Sequence, residues 1–345
     1  MPFEEIGLFD NHAHPWLRAP DAPFARYFSE APFGRADTLF FRDALRSLAA
    51  FLGCSPADVE LARQAGDYPR RLVRDANVAS VLLDDGYPRE GAYSVAECAA
   101  LGGFQAYRVL RLERVAEDML ERFDSLGSLE EALLEHLNAA RPGIVALKSI
   151  IAYRSGLSIA EPDRAAASAG VQSGRLTHKP LLDYLFQLAA RWAADNSVPL
   201  HLHTGFGDRD LDLRLANPLH LRRLLEAGVV GTTTPLVLLH TSYPYVREAA
   251  YISSVYPNVY VDLSQASPLL AGSALTRVFE ELLALAPVTR LLYGSDAWGI
   301  PDWLWLAARA TRAALGAALS WLPETESRWA AQRILHDNAA ELYGR

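Results

Sequence analysis

The stretch "FDNHAHPW", residues 9–16, ends a short apolar run with two histidines that stand two positions apart. Because successive side chains of a β-strand point to opposite faces, His12 and His14 point to the same face. Two imidazoles arranged in this way can bind one divalent metal ion from one side, and a purely structural pair of this kind is uncommon. We therefore expect a strand over this stretch, a metal site at its end, and Asp10 supporting the strand beneath the two histidines.

The composition describes a large globular chain with an acidic surface. It has 345 residues, of which 50% are hydrophobic, and a formal net charge of −8 at pH 7. A chain of this size and apolar content can bury one sizeable core. Its negative charge argues against nucleic acid or an anionic membrane surface as the partner, and a small-molecule substrate is expected instead.

Cysteine usage and the apolar runs predict the cellular setting. Only Cys54 and Cys98 are present, too few for a disulfide framework and badly spaced for a zinc finger. The first residues contain no basic segment followed by an apolar one, and the longer apolar runs are broken by charge or proline. We expect a cytoplasmic protein without membrane segments that forms a homo-oligomer, in particular a dimer.

Eight short runs rich in Val, Ile, Leu and Tyr recur along the chain, each ending in polar or small residues. They cover residues 6–12, 78–86, 104–113, 143–150, 198–205, 234–242, 258–265 and 289–297. These runs are mostly apolar rather than strictly alternating, as is typical of parallel strands covered on both faces. Most of the intervals between them have helical periodicity. Eight strands alternating with helices predict an α/β fold, the (β/α)8 TIM barrel.

The helices can be predicted with approximate ends. Residues 112–141 read as two helices broken near Gly127, and two later helices begin near Pro180 and Pro218. The segment "ALTRVFEELLALAP", residues 274–287, has the same periodicity.

One interval is too long for a simple crossover. Residues 15–75 contain a Pro- and aromatic-rich part followed by helical sequence. Long insertions that follow a barrel strand usually lie over the catalytic mouth. We interpret this segment as a helical lid or dimerisation element within one barrel that spans residues 1–345, because it lacks the core elements of a second domain.

The carboxyl ends of the predicted strands carry the chemistry, as the barrel fold requires. Five of the nine histidines lie at such ends, together with a lysine and an aspartate: His12, His14, Lys148, His201, His203, His240 and Asp296. Zinc, manganese and iron all accept histidine and carboxylate ligands, so the residue types alone do not choose among them. His203, nearer the mouth, is the better ligand, whereas His201 has a deeper supporting or core position or contacts the substrate.

Lys148 lies on an apolar strand, where a charged amine is costly unless it is paired or neutralised. One solution is carbamylation by carbon dioxide, which makes the side chain an anionic oxygen ligand that bridges two metals. The other is a salt bridge to Asp296 or to a substrate carboxylate. The residues alone leave both open.

Several other side chains near strand ends are candidates for substrate contact. Arg154 and Tyr153 follow the fourth strand, where a guanidinium suits a substrate carboxylate. Trp298 follows the eighth strand and is expected to wall the pocket. The carboxylates at residues 84–85 and 111–113 fit a supporting role, a substrate contact or ion pairing at the barrel rim.

Taken together, these motifs resemble the amidohydrolase superfamily, in particular its amidohydrolase-2 branch. The matching pieces are "DNHAH" (10–14), "LK" (147–148), "HLHTG" (201–205), "LLHTSY" (238–243), "YGSDAWG" (293–299) and the C-terminal "ILHDNAAELYG" (334–344). The segments "ALKSIIAYRSGL" (146–157) and "HTGFGD" (203–208) resemble the amidohydrolase domain that occurs alone or fused to glutamine-synthetase-like proteins. The resemblance spans nearly the whole chain, least so over residues 15–75.

This resemblance implies a role for each matching residue. His12, His14 and Asp296 would bind a first divalent metal, most often Zn²⁺, with Mn²⁺ or Fe²⁺ as alternatives. His203 and His240 would bind a second metal if Lys148 is carbamylated; in single-metal members His203 joins the first set and His240 polarises the substrate or moves a proton. Asp296 would be the general base that passes a proton from the attacking water to the leaving group.

The resulting hypothesis is a metal-dependent hydrolase that cleaves the C–N bond of an amide in a small carboxylated metabolite. Kinship with the synthetase-like fusions suggests a γ-glutamyl amide held through its carboxylate by Arg154. The alternative is a non-hydrolytic decarboxylase or uronate-isomerase-like enzyme, against which the lysine of the fourth strand argues. A barrel that has lost catalysis and only binds a synthetase is a third hypothesis, disfavoured because every expected ligand position is filled.

Overall fold

One sheet contains all eight strands, in sequence order and parallel. The computed structural model describes residues 1–20, 23–31, 33–88, 90–171, 176–270 and 272–345. The strands are β1 (Leu8–Ala13), β2 (Val78–Asp84), β3 (Gln105–Arg111), β4 (Ala146–Ser149), β5 (Leu200–Leu202), β6 (Leu236–Leu238), β7 (Val259–Asp262) and β8 (Leu291–Leu292). The backbone N–H of Asn11 donates to Tyr293 O over 2.9 Å, which links β1 to the chain leaving β8. The predicted (β/α)8 barrel is thus confirmed.

Helices occupy the intervals between the strands. Among the described residues these are α1 (Leu39–Leu52), α2 (Val59–Ala62), α3 (Tyr68–Asp75), α4 (Val95–Gly102), α5 (Leu112–Leu120), α6 (Leu126–Ala140), α7 (Ile151–Arg154), α8 (Arg164–Ser168), α9 (Lys179–Asp195), α10 (Arg222–Glu226), α11 (Val246–Val255), α12 (Ala266–Leu269), α13 (Ser273–Leu283), α14 (Asp302–Ala318), α15 (Glu324–Gln332) and α16 (Asn338–Tyr343). A π-helical turn, Arg333–Asp337, joins the last two.

Every predicted strand is present, but four of them end three or more residues earlier than the apolar runs suggested. β5 ends at Leu202, β6 at Leu238, β7 at Asp262 and β8 at Leu292. The polar residues that follow were predicted as strand residues and lie instead in the loops after the strands. Apolar content marks where a strand is buried, whereas its end depends on where backbone pairing stops.

The predicted helix starts are partly right. α9 begins beside Pro180 as expected, and Pro218 opens a short 3₁₀ helix that precedes α10. The break between α5 and α6 was placed near Gly127 and lies earlier, over residues 121–125. Ser125 caps α6 by accepting the N–H of Ser128 over 3.2 Å, so a capping serine rather than the glycine starts this helix.

The chain divides into two compact units. The first comprises residues 1–107, 263–283 and 291–345, and the second comprises residues 108–262 and 284–290. β1, β2 and β8 belong to the first unit, and β4 to β7 belong to the second.

The insertion after β1 is helical, as predicted, and packs within the first unit. The guanidinium of Arg63 bonds both carboxylate oxygens of Asp302 at the start of α14, with Nε at 2.7 Å from Oδ1. The Tyr68 hydroxyl donates to Oδ1 of the same buried carboxylate over 2.6 Å. Burial and the neighbouring carboxylate raise the pKa of Tyr68, so it remains a neutral donor. Residues 21, 22 and 32 of the predicted lid lie outside the described residues, and its role as a lid stays a prediction.

None of the described helices combines the length and the apolar content that crossing a membrane requires.

Candidate metal centre and its supports

Three side chains of the first unit converge on one point. Nε2 of His12 and Nε2 of His14 both lie 3.3 Å from Oδ1 of Asp296. All three residues are buried, and one potential ligand atom from each lies within 4.8 Å of the other two. The alternation of side chains along β1 and its continuation places the two imidazoles on one face, as their spacing predicted. Two imidazoles and one carboxylate are a donor set that zinc, manganese and iron accept.

The backbone of Asp296 is unusual because its φ is 55°, in the left-handed region that costs a non-glycine residue about 1–3 kcal/mol. Hydrogen bonds on both sides hold this conformation. The N–H of Asp296 donates to His12 O over 2.8 Å. The N–H and the hydroxyl of Ser295 donate to the two carboxylate oxygens of Asp10, over 2.8 and 2.5 Å. Asp10 was expected to support the strand beneath the histidines; it also bonds the loop that carries Asp296, the third candidate ligand.

The orientation of His14 is set by the end of β2. Nδ1 of His14 lies 3.2 Å from the backbone oxygen of Asp84 and 3.9 Å from its Oδ2. When Nδ1 carries the proton, its N–H donates to that carbonyl, and the lone pair of Nε2 is left free to bind a metal beside Asp296. Such an outer hydrogen bond is the usual way in which a protein fixes the tautomer and the orientation of a metal-binding histidine. The sequence analysis had left the role of residues 84–85 open, with support as one of the possibilities.

Three further predicted residues meet within the second unit. The ring of His203 lies 4.4 Å from the ring of His240 and 4.6 Å from the ring of Tyr153, measured between centroids. Nε2 of His203 is 3.2 Å from Phe206 O. The Tyr153 hydroxyl accepts the N–H of Asp208 over 3.3 Å. The structure therefore brings together three of the residues that the sequence singled out in this unit.

His240 occupies a turn that the sequence did not predict. His240, Thr241 and Ser242 have φ values of 66°, 54° and 52°, three successive non-glycine residues in the left-handed region. All three are buried. Because each position costs about 1–3 kcal/mol, the surrounding structure must impose the conformation.

The loop after β5 provides that constraint. The Thr204 hydroxyl donates to Leu239 O over 2.7 Å and lies 2.7 Å from the Ser242 hydroxyl. Phe206 N–H donates to Tyr243 O over 2.7 Å. A Cβ at Gly205 would lie 2.3 Å from the backbone carbon of Ser242, so only glycine permits this approach. The loops with the sequences "HTGF" (203–206) and "HTSY" (240–243) therefore pack against and stabilise each other.

Lys148 and His201 are paired in register on neighbouring strands β4 and β5. Both are almost completely buried. Side chains at paired positions of a sheet point to the same face, so the two belong to one side of the sheet. Burial of the lysine agrees with the expectation that its amine needs a partner or a modification, and both remain predictions.

The end of β4 is held by a buried carboxylate, Glu113. Its two oxygens accept the Ser149 hydroxyl over 2.6 Å and the Ile150 N–H over 2.9 Å. Burial raises the pKa of Glu113 despite these two donors, which favour the charged form. This carboxylate belongs to the stretch 111–113 that the sequence left between support and ion pairing, and it is a support.

Two predicted substrate contacts have protein neighbours of their own. Nη2 of Arg154 lies 3.0 Å from Oε1 of Glu117, and both side chains are mostly buried. A substrate carboxylate at Arg154 would have to compete with that ion pair. Trp298 packs against Tyr27 and Tyr87 in the first unit. Contact of either residue with a substrate stays a prediction.

Comparison with known proteins identifies the relatives of this chain. The family model described as amidohydrolase matches residues 153–345, more than half of the chain. Protein FluG of Emericella nidulans is 31% identical over 361 residues, which cover 89% of this chain and 41% of FluG. The chain thus spans well under half the length of this curated relative.

Solved structures of similar fold support the same family assignment. A candidate metal-dependent hydrolase of Lactobacillus casei ATCC 334 is 31% identical, with a TM-score of 0.91 and coverage of 99% of this chain and 96% of that one. A uronate isomerase of Thermotoga maritima has a TM-score of 0.67 at 13% identity, covering 99% of this chain and 95% of that one, a likeness of fold alone. The metal-ligand geometry, the fold and the family match agree: the chain belongs to the amidohydrolase family.

Proposed function

We propose that this protein is a metal-dependent hydrolase that cleaves the C–N bond of an amide in a small carboxylated metabolite. The observation that carries the proposal is the convergence of His12 and His14 on one carboxylate oxygen of Asp296. Family membership supports an enzyme of this kind. A divalent cation bound there would lower the pKa of a coordinated water towards about 7 and polarise the amide carbonyl.

The residues of the chain would then divide the remaining tasks. Asp296 takes a proton from the attacking water and delivers it to the amide nitrogen as the C–N bond breaks. A carboxylic acid and an amine leave, so atoms and protons balance without a further reactant. His240, whose ring is held beside His203, either polarises the carbonyl or joins a second metal position with His203.

The buried Lys148 favours hydrolysis over decarboxylation. A carbamylated Lys148 would add an anionic oxygen ligand for a second metal, whereas a single-metal decarboxylase has no need of an amine at this position. We propose zinc as the resident metal, with manganese or iron as alternatives, and one or two ions per chain.

The proposed acyl group is γ-glutamyl, based on the resemblance to domains fused to glutamine-synthetase-like proteins. The acyl carboxylate would bind near Arg154 and Tyr153, and His201 would support the pocket from β5. Because Glu117 already pairs with Arg154, binding must either shift this pair or use the outer face of the guanidinium.

The test is hydrolysis of a panel of γ-glutamyl amides by the purified protein loaded with zinc, manganese or iron. We expect amine release with one oxygen from ¹⁸O-labelled water in the acid product, and its loss in Asp296→Asn. Elemental analysis should find one or two metals per chain, and less in His12→Ala. Release of carbon dioxide without water incorporation would replace hydrolysis by decarboxylation, and metal content unchanged in His12→Ala would remove the basis of the proposal.

A further inference from the structure

Three aromatic side chains form a wall beside the metal centre: Tyr27, Tyr87 and Trp298, called the aromatic wall below. The ring of Trp298 lies 5.1 Å from that of Tyr27 and 5.9 Å from that of Tyr87. The corresponding interplanar angles are 49° and 47°, so the three rings are tilted rather than stacked in parallel. All three belong to the first unit.

The wall is joined directly to a proposed metal ligand. The ring of Tyr87 meets the ring of His14 edge to face, with centroids 5.7 Å apart. Trp298 stands two positions after Asp296 in the sequence. The aromatic wall therefore begins at a ring in contact with a candidate metal ligand and ends on the segment that carries another.

The position of Trp298 is determined by the backbone around it. His14 N–H donates to Ala297 O over 2.7 Å, and Leu17 N–H donates to Gly299 O over 2.8 Å. Gly299 has φ of +69°, and a Cβ there would lie 2.8 Å from the Tyr27 ring. Both features require glycine. These contacts hold the segment that carries Trp298 on both sides of the ring.

The three rings differ in exposure. Tyr27 is 2% exposed and serves as a backing, whereas Tyr87 is 43% exposed. Trp298 is half-buried. The apolar surface of an exposed ring is removed from water when a ligand covers it, which favours binding. Aromatic rings also prefer offset or edge contacts with other rings.

We infer that the aromatic wall binds the amine portion of the substrate and that this portion carries a flat aromatic ring. The inference rests on the proposed amide hydrolysis and specifies its substrate class as N-arylalkyl amides. A cationic amine would also be attracted to aromatic faces. However, the Tyr87 ring lies 5.7 Å from the His14 ring, and a divalent metal bound at His14 would repel a second cation so close to it. An uncharged ring therefore fits better.

Two neutral amides of matched shape test this preference without turnover. N-benzylacetamide and N-(cyclohexylmethyl)acetamide differ only in the aromaticity of their six-membered ring. Their dissociation constants are measured by ligand-observed NMR titration, on metal-free and metal-loaded protein. We expect the benzyl compound to bind about 5-fold tighter, the range that one or two ring contacts provide.

Variants assign the preference to the wall. Tyr87→Leu should abolish the difference between the two amides, and Tyr87→Phe should retain it because the ring remains. Trp321→Leu removes an aromatic side chain that is 80% exposed elsewhere in the same unit and serves as the matched control. Circular dichroism checks that each variant is folded.

Equal binding of the two amides to the wild type, or an unchanged preference in Tyr87→Leu, would overturn the inference. Tighter binding of tetramethylammonium than of the benzyl compound would also overturn it, in favour of a cation site. A Tyr87-dependent ring preference without hydrolysis of any amide would leave the wall standing and remove the proposed function. Hydrolysis of amides without a ring preference would support the proposed function and reject the role of the aromatic wall.

Discussion

The two units hold their histidines by different means. In the first, ordinary strand alternation sets His12 and His14 side by side, and a buried carboxylate, Asp10, fixes the loop that carries Asp296. In the second, β6 ends at Leu238, and His240 is presented by a left-handed turn. Neutral hydroxyls and a close glycine contact hold that turn, together with the buried carboxylate of Asp262, which accepts the His240 N–H over 3.3 Å.

The two regions stabilise a strained backbone conformation in different ways. A charge-assisted hydrogen bond is about twice as strong as a neutral one, so one carboxylate can hold a strained residue such as Asp296. The bond from the His240 N–H to Asp262 is longer than those that Asp10 accepts, and neutral hydroxyl bonds are individually weaker, so the turn at His240 depends on several contacts together. Changes in the first region should therefore have larger and more concentrated effects than changes in the second.

The largest effect is expected for Asp10→Ala. It leaves the N–H and the hydroxyl of Ser295 without their acceptor in a buried site, which should lower the free energy of unfolding by about 3 kcal/mol. Metal affinity, measured by competition with a chelator, should fall about 10-fold to 100-fold because Asp296 is no longer held.

Asp302→Ala is the matched control. Its carboxylate is also buried in the first unit, where Arg63 and Tyr68 donate to it. We expect a comparable loss of stability, seen in urea unfolding, but unchanged affinity for zinc at a temperature where both variants are folded. Equal zinc affinity in the wild type and Asp10→Ala would show that Asp10 is only structural.

A smaller effect is expected for Thr204→Val. Valine preserves the shape but removes the hydrogen bonds to Leu239 and Ser242, which should cost about 2 kcal/mol. Because the turn then loosens, kcat should fall more than KM changes. Thr204→Ser keeps the hydroxyl and should retain most of kcat; a similar loss in both variants would mean that packing of the methyl group, not hydrogen bonding, matters.

The buried carboxylate of the second unit predicts a pH dependence. Burial raises the pKa of Glu113 in the folded state, so the folded protein binds its proton more tightly than the unfolded chain. Its contribution to stability is complete below the ordinary glutamate pKa and is lost as the pH rises towards the raised value. The slope cannot exceed about 1.4 kcal/mol per pH unit for one proton.

Glu113→Gln should remove this slope. Urea unfolding of the wild type and the variant from pH 4 to pH 8 measures it as a difference in unfolding free energy that changes with pH. A constant difference across that range would mean that Glu113 titrates as it does in the unfolded chain.

The smallest net effect is expected for Ser242→Gly. Glycine relieves the left-handed strain, a gain of about 1 kcal/mol, but removes the hydroxyl beside Thr204, a loss of similar size. Ser197→Gly is the control, since Ser197 is exposed with φ of 55° and should gain about 0.5–1 kcal/mol. Thermal unfolding checks both; a loss above about 2 kcal/mol in Ser242→Gly would show that the serine hydroxyl outweighs the strain.

Sequence alone predicted the eight strands and the placement of the candidate ligands His12 and His14 because both depend on local periodicity. Parity along β1 suffices to place His12 and His14 on one face, whatever surrounds them. The carboxylate at Asp296 followed from its place after an apolar run, although its left-handed backbone did not.

What only the tertiary structure decided involves partners distant in sequence. The carbonyl of Asp84 that orients His14, the Thr204 hydroxyl that holds the turn of His240 and the ion pair between Glu117 and Arg154 leave no local pattern. A backbone oxygen has no residue signature at all, and a left-handed turn without glycine contradicts local preference. Periodicity thus determined which side chains reach the carboxyl ends of the strands, while packing between segments decided how each of them is held.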